Sequence, residues 1–337
     1  MVQSHDTSRR APAGPAHRID AASDACVDAW CAVLAAAHAH DRPDLPAPER
    51  AAEAGRLRVP ALHSRAAAFA VPAPGGGYAG VALVRLFDSA DNTHTAFLDA
   101  LTVHPRHRGA GVGGALWAEV HALLAAESRT SVSAQLDAGG PGEVFARSQG
   151  AVCALPLVAY VQDVTRAPAD GRPALPDGYR FLAWSGQVPD AYADTHARAH
   201  QAMDDAPTGD LDAQPDSWDA ARVRAAAQVV IDRGGVLLTV AALATADDSV
   251  AAYTELVLPT PRSVRALQYD TVVLPAHRGR GIGRAVKLRM REVLRAAHPG
   301  VREIMTTVAD DNTPMRAVNA ALGYRPEGGL GVHQLRL

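Results

Sequence analysis

The sequence predicts an α/β (α+β) protein built from two similar domains in tandem. Three observations predict it. A glycine-rich segment that follows a strand and opens a helix occurs twice: residues 101–116 read LTVHPRHRGAGVGGAL and residues 271–286 read TVVLPAHRGRGIGRAV, 170 positions apart. Helical and strand-like stretches run in the same order around each copy. Between the copies, residues 163–178 carry Pro168, Gly171, Pro173, Pro176 and Gly178, a composition that breaks helix and strand alike.

Each half reads as helix, helix, strands, a strand–loop–helix and a last strand–helix–strand. The first half opens with a helical stretch at 22–39, running into HAHDRPDLP; the second has one at 190–202, running into MDDAPTGDL. In the second half, 236–244 and 250–258 read as paired strands around a turn at 246–249. The next strand is 265–274. Residues 283–297 form a helix with Val286, Met290, Val293 and Leu294 on one face. A strand at 303–308 and a helix at 314–322, stopped by Gly323, complete it. The expected layout is a disordered lead-in at 1–17, a first domain at 18–167, a linker at 168–178 and a second domain at 179–337.

Composition narrows the function. At 337 residues the chain suits two ordinary cores. It is 48% hydrophobic and 20% charged, with a net charge of −3, so no basic excess points to nucleic acid. Cys26, Cys31 and Cys153 form no CxxC pair, which argues against a disulfide framework and a structural zinc site. Residues 1–17 lack the apolar core of a signal peptide. The longest apolar runs are too short to span a membrane. A cytoplasmic protein is expected, as a monomer or homodimer.

The chemistry-bearing feature is the repeated loop. Glycines let the chain turn tightly and bring successive N–H groups together. The following helix adds its unpaired first N–H groups and the positive end of its dipole. The product is a cradle for a diphosphate. A dinucleotide fold fits poorly: a Pro-x-x-Arg segment separates strand from glycines, and Arg284 stands where a third glycine belongs. The Gly-Lys-Ser/Thr of a P-loop is absent from the sequence.

The pattern Val-x-Pro-x-x-Arg-Gly-x-Gly-x-Gly, at 103–113 and again at 273–283, resembles motif A of the GCN5-related N-acetyltransferases (GNAT). The block at 312–324, NTPMRAVNAALGY, is similar to motif B of the same superfamily. The acidic loop at 203–211 and the strand Tyr253-Thr-Glu255 resemble tandem-domain members of actinobacterial type; mycothiol synthase shares that two-domain plan. The resemblance implies that each domain is a mixed sheet, splayed open beside motif A and flanked by helices. It implies acetyl-CoA, or another acyl-CoA, as co-substrate and no metal. Pantetheine would lie along Thr271, Val272 and Val273, and the diphosphate on Arg278, Gly279, Arg280, Gly281, Ile282, Gly283 and Arg284. Asn312 and Asn319 would meet the coenzyme from the other side. In the first half Val103, Arg108, Gly109, Gly111 and Gly113 keep the same loop.

Acyl transfer to an amine needs a base, an oxyanion donor and a way for thiolate to leave. A backbone N–H near Val273 is the donor that the resemblance implies. Glu255 is the favoured base, because a carboxylate in the apolar strand AAYTELVL would have a raised pKa. Asp270 is the second candidate. The family's leaving-group tyrosine, four residues before the motif B glycine, is Asn319 here and Ala146 in the first half. Water or direct thiolate departure would then serve. Glu255 and Asp270 correspond to Arg85 and Ala100, so catalysis is expected in the second half only; Asp99, at the slot of Tyr269, is the one hint of chemistry in the first.

The expected acceptor is the primary amine of a small cationic metabolite or antibiotic-like compound. Asp204 and Asp205 would attract it, with Tyr253 and Tyr269 beside the carboxylates. His196, His200, His38 and His40 read as ordinary helix residues, and no spacing suggests a metal. Two other readings stay open: a non-catalytic acyl-CoA-binding or regulatory protein, and an enzyme acting on protein or peptide amines.

Overall fold

The computed structural model describes residues 14–166, 173–205 and 207–337, with the side chain of Asp204 excepted. Residues 1–13 of the expected lead-in and 168–172 of the expected linker lie outside them. The N-terminal half runs β1 (His17–Arg18), α1 (Asp24–Asp41), α2 (Arg50–Arg58), β2 (Ser64–Pro72), β3 (Tyr78–Phe87), β4 (Thr95–Val103), α3 (Val112–Ala126), β5 (Ser131–Asp137), α4 (Pro141–Ser148) and β6 (Val152–Asp163). The C-terminal half runs β7 (Tyr179–Ser185), α5 (Ala193–Gln201), α6 (Ala220–Asp232), β8 (Val236–Ala244), β9 (Val250–Leu258), β10 (Arg265–Val273), α7 (Ile282–Ala297), β11 (Glu303–Ala309), α8 (Thr313–Ala321) and β12 (Arg325–Arg336).

Local chemistry sets the boundaries. The Ser23 hydroxyl accepts from the Cys26 N–H to cap α1, and the Asp219 carboxylate accepts from the Arg222 N–H to cap α6. Apolar residues one turn apart build the face each motif helix buries: Val112, Leu116, Val120 and Leu124 on α3, and Ile282, Val286, Met290 and Leu294 on α7. All eight are buried, at about 1.5–3 kcal/mol for a fully buried side chain of this size. α3 packs on β2, β3 and β4, and α7 on β8, β9 and β10. α1 with α2, and α5 with α6, form the second helical layer of each half.

The strands join into one twelve-stranded sheet, ordered β1-β2-β3-β4-β5-β12-β6-β11-β10-β9-β8-β7. Each half gives its last strand to the other. β6 pairs antiparallel with β11, from Asp163 opposite Glu303 to Leu157 opposite Ala309. β12 pairs antiparallel with β5, from Asp137 opposite Leu330 to Ser131 opposite Arg336. The two exchanged strands also pair with each other. Side chains add to the seam: the hydroxyls of Thr260 and Ser263 donate to the Glu49 carboxylate, and Asn92 makes two hydrogen bonds to the backbone of Gln214.

Candidate active site

Beside each glycine loop the sheet forks. β10 and β11 run parallel and pair only over Arg265–Leu267 with Glu303–Met305. β4 and β5 pair only over Thr95–Phe97 with Ser131–Ser133. Beyond those pairs the facing strand edges have no ladder, and a ligand amide can supply what the edge lacks. A one-residue bulge marks each fork, with Asp99 in β4 and Tyr269 and Asp270 in β10.

The loops keep the repeat in three dimensions. Gly279 and Gly281 both sit at φ +75°, and Gly109 and Gly111 at +73° and +83°. A Cβ at Gly279 or Gly281 would meet nothing within 4 Å, so glycine is required there for its left-handed backbone and not for space. Gly283 is held by space, since its Cβ would lie 3.2 Å from the Val273 side chain. Arg278 Nε donates to the Val273 carbonyl at 2.9 Å, and its Nη2 donates to Asp205 at 2.6 Å. Arg108 repeats both bonds, to the Val103 carbonyl at 3.2 Å and to Asp41 at 2.6 and 2.7 Å. Arg280 donates to the Tyr179 hydroxyl at 2.8 Å. This geometry fits a diphosphate at both loops: unpaired helix N–H groups, a guanidinium tied to the strand end, and no Cβ in the turn.

At the bulge of the C-terminal half five ionisable groups meet. His196 Nε2 lies 3.3 Å from Glu255 Oε1, and His200 Nε2 lies 3.7 Å from the same oxygen. The Thr239 hydroxyl donates to that oxygen at 3.3 Å. His200 Nδ1 lies 3.6 Å from Asp270 Oδ2, which accepts from the Tyr253 hydroxyl at 3.3 Å. The rings of His196 and Tyr253 meet edge to face, and His200 stacks on Trp218. His196 and His200 are one turn apart on α5, so both face the strands that carry the carboxylates.

Their environments drive the two carboxyls apart. Burial pushes Glu255 up, but the bonds and charges of His196 and His200 outweigh it and hold its pKa at about 2. This corrects the expectation of a raised pKa at Glu255: apolar neighbours along the strand do not isolate it from two histidines on a helix. Burial, followed by the Glu255 charge, raises Asp270 to about 6. Burial lowers the pKa of His196 and lifts that of Tyr253 well above its usual value. By donor type this cluster also suits a transition metal: one atom each from His196, His200 and Glu255 lie within 4.8 Å of one another. Tetrahedral ligation at about 2.0–2.1 Å needs donors about 3.4 Å apart, which the two nitrogen-to-oxygen distances approach.

The other expected site residues separate. Thr271, Val272 and Val273 lie on the free edge of the fork, and Thr271 shares a hydroxyl–hydroxyl bond of 2.8 Å with Thr254. The Ile282 side chain is in the core, so only its backbone can meet a ligand. Arg284 lies in the first turn of α7. Asn312 caps α8, accepting from the Met315 N–H at 3.2 Å. Asn319 is corrected: it is fully buried, and its Oδ1 accepts from Lys287 Nζ at 2.8 Å, because its helix face turns into the core. Tyr253 is likewise fully buried and reaches the site through its hydroxyl alone, while Tyr269 stands exposed. Asp205 is bonded to the phosphate-loop arginine and not left free for an acceptor. In the N-terminal half Arg85 clasps Asp99 with bonds of 2.6 and 3.1 Å, filling the place that the carboxylate and histidines take in the other half. A cavity of about 710 Å³ runs there from Gly109 and Arg108 to Asp99 and Arg56.

Sequence reasoning missed the two histidines and Lys287. The only signal was the four-residue spacing of His196 and His200, which places both on one helix face.

A twice-repeated forked sheet with a glycine cradle at each fork defines an acyltransferase of the GNAT class. The acetyltransferase (GNAT) family matches residues 31–138 and 200–324, more than half of the chain, and the chain belongs to that family. It is similar to a tandem GNAT protein from the clavulanic acid biosynthesis pathway, solved without AcCoA: TM-score 0.81 and 29% identity, covering 95% of this chain and 98% of that one. A GCN5-related N-acetyltransferase from Sphaerobacter thermophilus shares the fold, with TM-score 0.66, 19% identity and 95% of each chain covered. So does a glucosamine N-acetyltransferase region of a fungal multi-domain GH3 beta-N-acetylglucosaminidase, with TM-score 0.67 and 14% identity, over 97% of this chain and 38% of that one. No curated protein matches the sequence. Among the described residues no helix is long and apolar enough to cross a membrane.

Proposed function

We propose that the chain transfers an acetyl group from acetyl-CoA to a primary amine, with the chemistry at the fork of the C-terminal half. Asp270 carries the reading. It lies in the bulge of the strand that borders the fork, and about a third of its side chain is open to solvent. Its pKa is raised to about 6, so it is ionised at neutral pH yet a better base than an ordinary carboxylate. Burial, and after it the charge of Glu255 held ionised by the histidines, keeps Asp270 basic.

In this reading the acceptor ammonium gives its proton to Asp270. The freed amine nitrogen forms a bond to the thioester carbonyl carbon. The oxygen takes up negative charge, stabilised by a backbone N–H near Val273. The carbon–sulfur bond then breaks, and the nitrogen gives up its second proton, either to solvent water with the thiolate leaving as such or through water to the departing thiolate; a thiol with a pKa near 8.5 is a fair leaving group. Asn319 plays no part as acid, being buried and bonded to Lys287. Carboxylates at the fork favour a small cationic metabolite or antibiotic-like amine as acceptor.

One observation favours a second reading, an acyl-CoA-binding protein without turnover: the 710 Å³ cavity lies in the half where Arg85 neutralises Asp99. Incubation with acetyl-CoA and a panel of small and peptide amines, with release of free thiol followed, decides between them. Turnover that Asp270→Asn lowers by about 10²–10⁴-fold supports catalysis. Acetyl-CoA binding without turnover across the panel supports the second reading.

A further inference from the structure

A small second cavity, of about 50 Å³, opens at the fork of the N-terminal half. Trp117, Val132, Phe145 and Leu335 wall it. It shares Leu98, Ala134, Phe145 and Ala146 with the large cleft that begins at the glycine loop. Leu98 and Ala134 are the first residues past the last β4–β5 pair, so the cavity sits where the strands part. A coenzyme held by its diphosphate at Gly109–Gly111, with its arm along β4 from Val103 back towards Leu98, would bring its thioester to this point. Ala146 is the position four residues before the glycine at the end of α4, and its small side chain leaves the space open.

The C-terminal half is an internal control. Leu98, Trp117 and Ala146 correspond there to Gln268, Lys287 and Asn319. All three are buried and bonded: Lys287 Nζ to Asn319 Oδ1 at 2.8 Å, and Gln268 Nε2 to Thr254 Oγ1 and to the Glu255 carbonyl, each at 2.7 Å. The same place in the fold is thus apolar and hollow in one copy, polar and occupied in the other. Apolar cavities stay dry and take apolar guests.

We propose that the N-terminal cleft is selective for an acyl-CoA whose acyl group exceeds acetyl by about two methylenes, with the chain end in the cavity walled by Trp117 and Phe145. The C-terminal site, with a polar pair at that place, takes acetyl. The proposal rests on the reading of the N-terminal loop as a coenzyme site. The hollow is small, about 50 Å³, so a short chain fits it better than a long one.

Calorimetry on the full chain with free CoA and with acetyl-, propionyl-, butyryl- and octanoyl-CoA tests it. The N-terminal class of sites is the one that Gly111→Trp abolishes. At that class affinity should rise about fourfold per added methylene as far as butyryl, and fall for octanoyl. Ala146→Leu, which fills the cavity, should keep the affinity for free CoA and lose the gain for butyryl. Trp117→Leu, which enlarges it, should move the optimum to a longer chain. Equal affinity for free, acetyl- and butyryl-CoA at that class overturns the proposal and leaves the coenzyme site standing, as does a butyryl gain that survives Ala146→Leu. If free CoA shows no class of sites sensitive to Gly111→Trp, the coenzyme reading itself fails and takes the proposal with it.

Discussion

Arg278 is bonded to Asp205 at 2.6 Å, so one guanidinium of the phosphate loop is neutralised by the segment that follows α5. Arg108 and Asp41 hold the same relation in the other half. A bound diphosphate would compete with Asp205 for the guanidinium. Both side chains are about half exposed, and exposed pairs contribute about 0–1 kcal/mol. Asp205→Asn should therefore tighten acetyl-CoA binding at the C-terminal loop by no more than about fivefold. Titration calorimetry at low and high salt checks it, and weaker binding by the variant would refute the competition.

The two carboxyls predict a pH profile. Turnover should climb with pH through about 6, as Asp270 loses its proton. Glu255→Gln removes a negative charge that raises Asp270, so the acid limb should move to lower pH in that variant. The measurement is kcat/KM against pH for both proteins. An acid limb that stays in place would show that Glu255 does not set the base.

Lys287 predicts a pH dependence of stability. It is buried, and burial lowers its pKa from 10.5 to about 7. Between those values the unfolded chain binds the proton more readily than the folded one, so stability should rise as pH climbs from about 7 and the deficit should be complete below 7. Lys287→Met should lose this rise relative to the wild type in thermal melts between pH 6.5 and 10. The single variant also leaves Asn319 without its donor, at about 1–3 kcal/mol. Lys287→Met with Asn319→Leu should recover part of that loss.

Removing residues 325–337 deletes β12, which pairs with β5 and β6 of the N-terminal half. The truncated chain should lose coenzyme binding at Arg108 and Gly109, although that loop lies about 220 residues away in sequence. Binding assays on a truncated chain also carrying Gly281→Trp isolate the effect. Full retention of the N-terminal site would mean that β12 is dispensable to its fork.

Much of the fold was legible because it is local. β8 and β9 are mostly apolar and flank a polar turn, so their bounds follow from residue type. Both glycine loops announce themselves by a backbone conformation that other residues avoid. The unread part is the part that distance hides. Nothing in the apolar run of β6 tells that its partner lies in β11, some 150 residues on. Glu255 reads as a lone carboxylate until the separation of 59 positions between it and His196 is folded away. Asn319 looks like a polar helix residue, and only Lys287 on another helix explains its burial.

The traded last strands bear on how such a chain can diverge. A symmetric pair of subunits that lend each other an arm becomes, once joined end to end, a single molecule in which neither part is complete by itself. One part can then shed its reaction without being lost, because its sibling still depends on it for a neighbour. A copy that fell silent would thereby be retained by the architecture, and its site would be left available for another ligand.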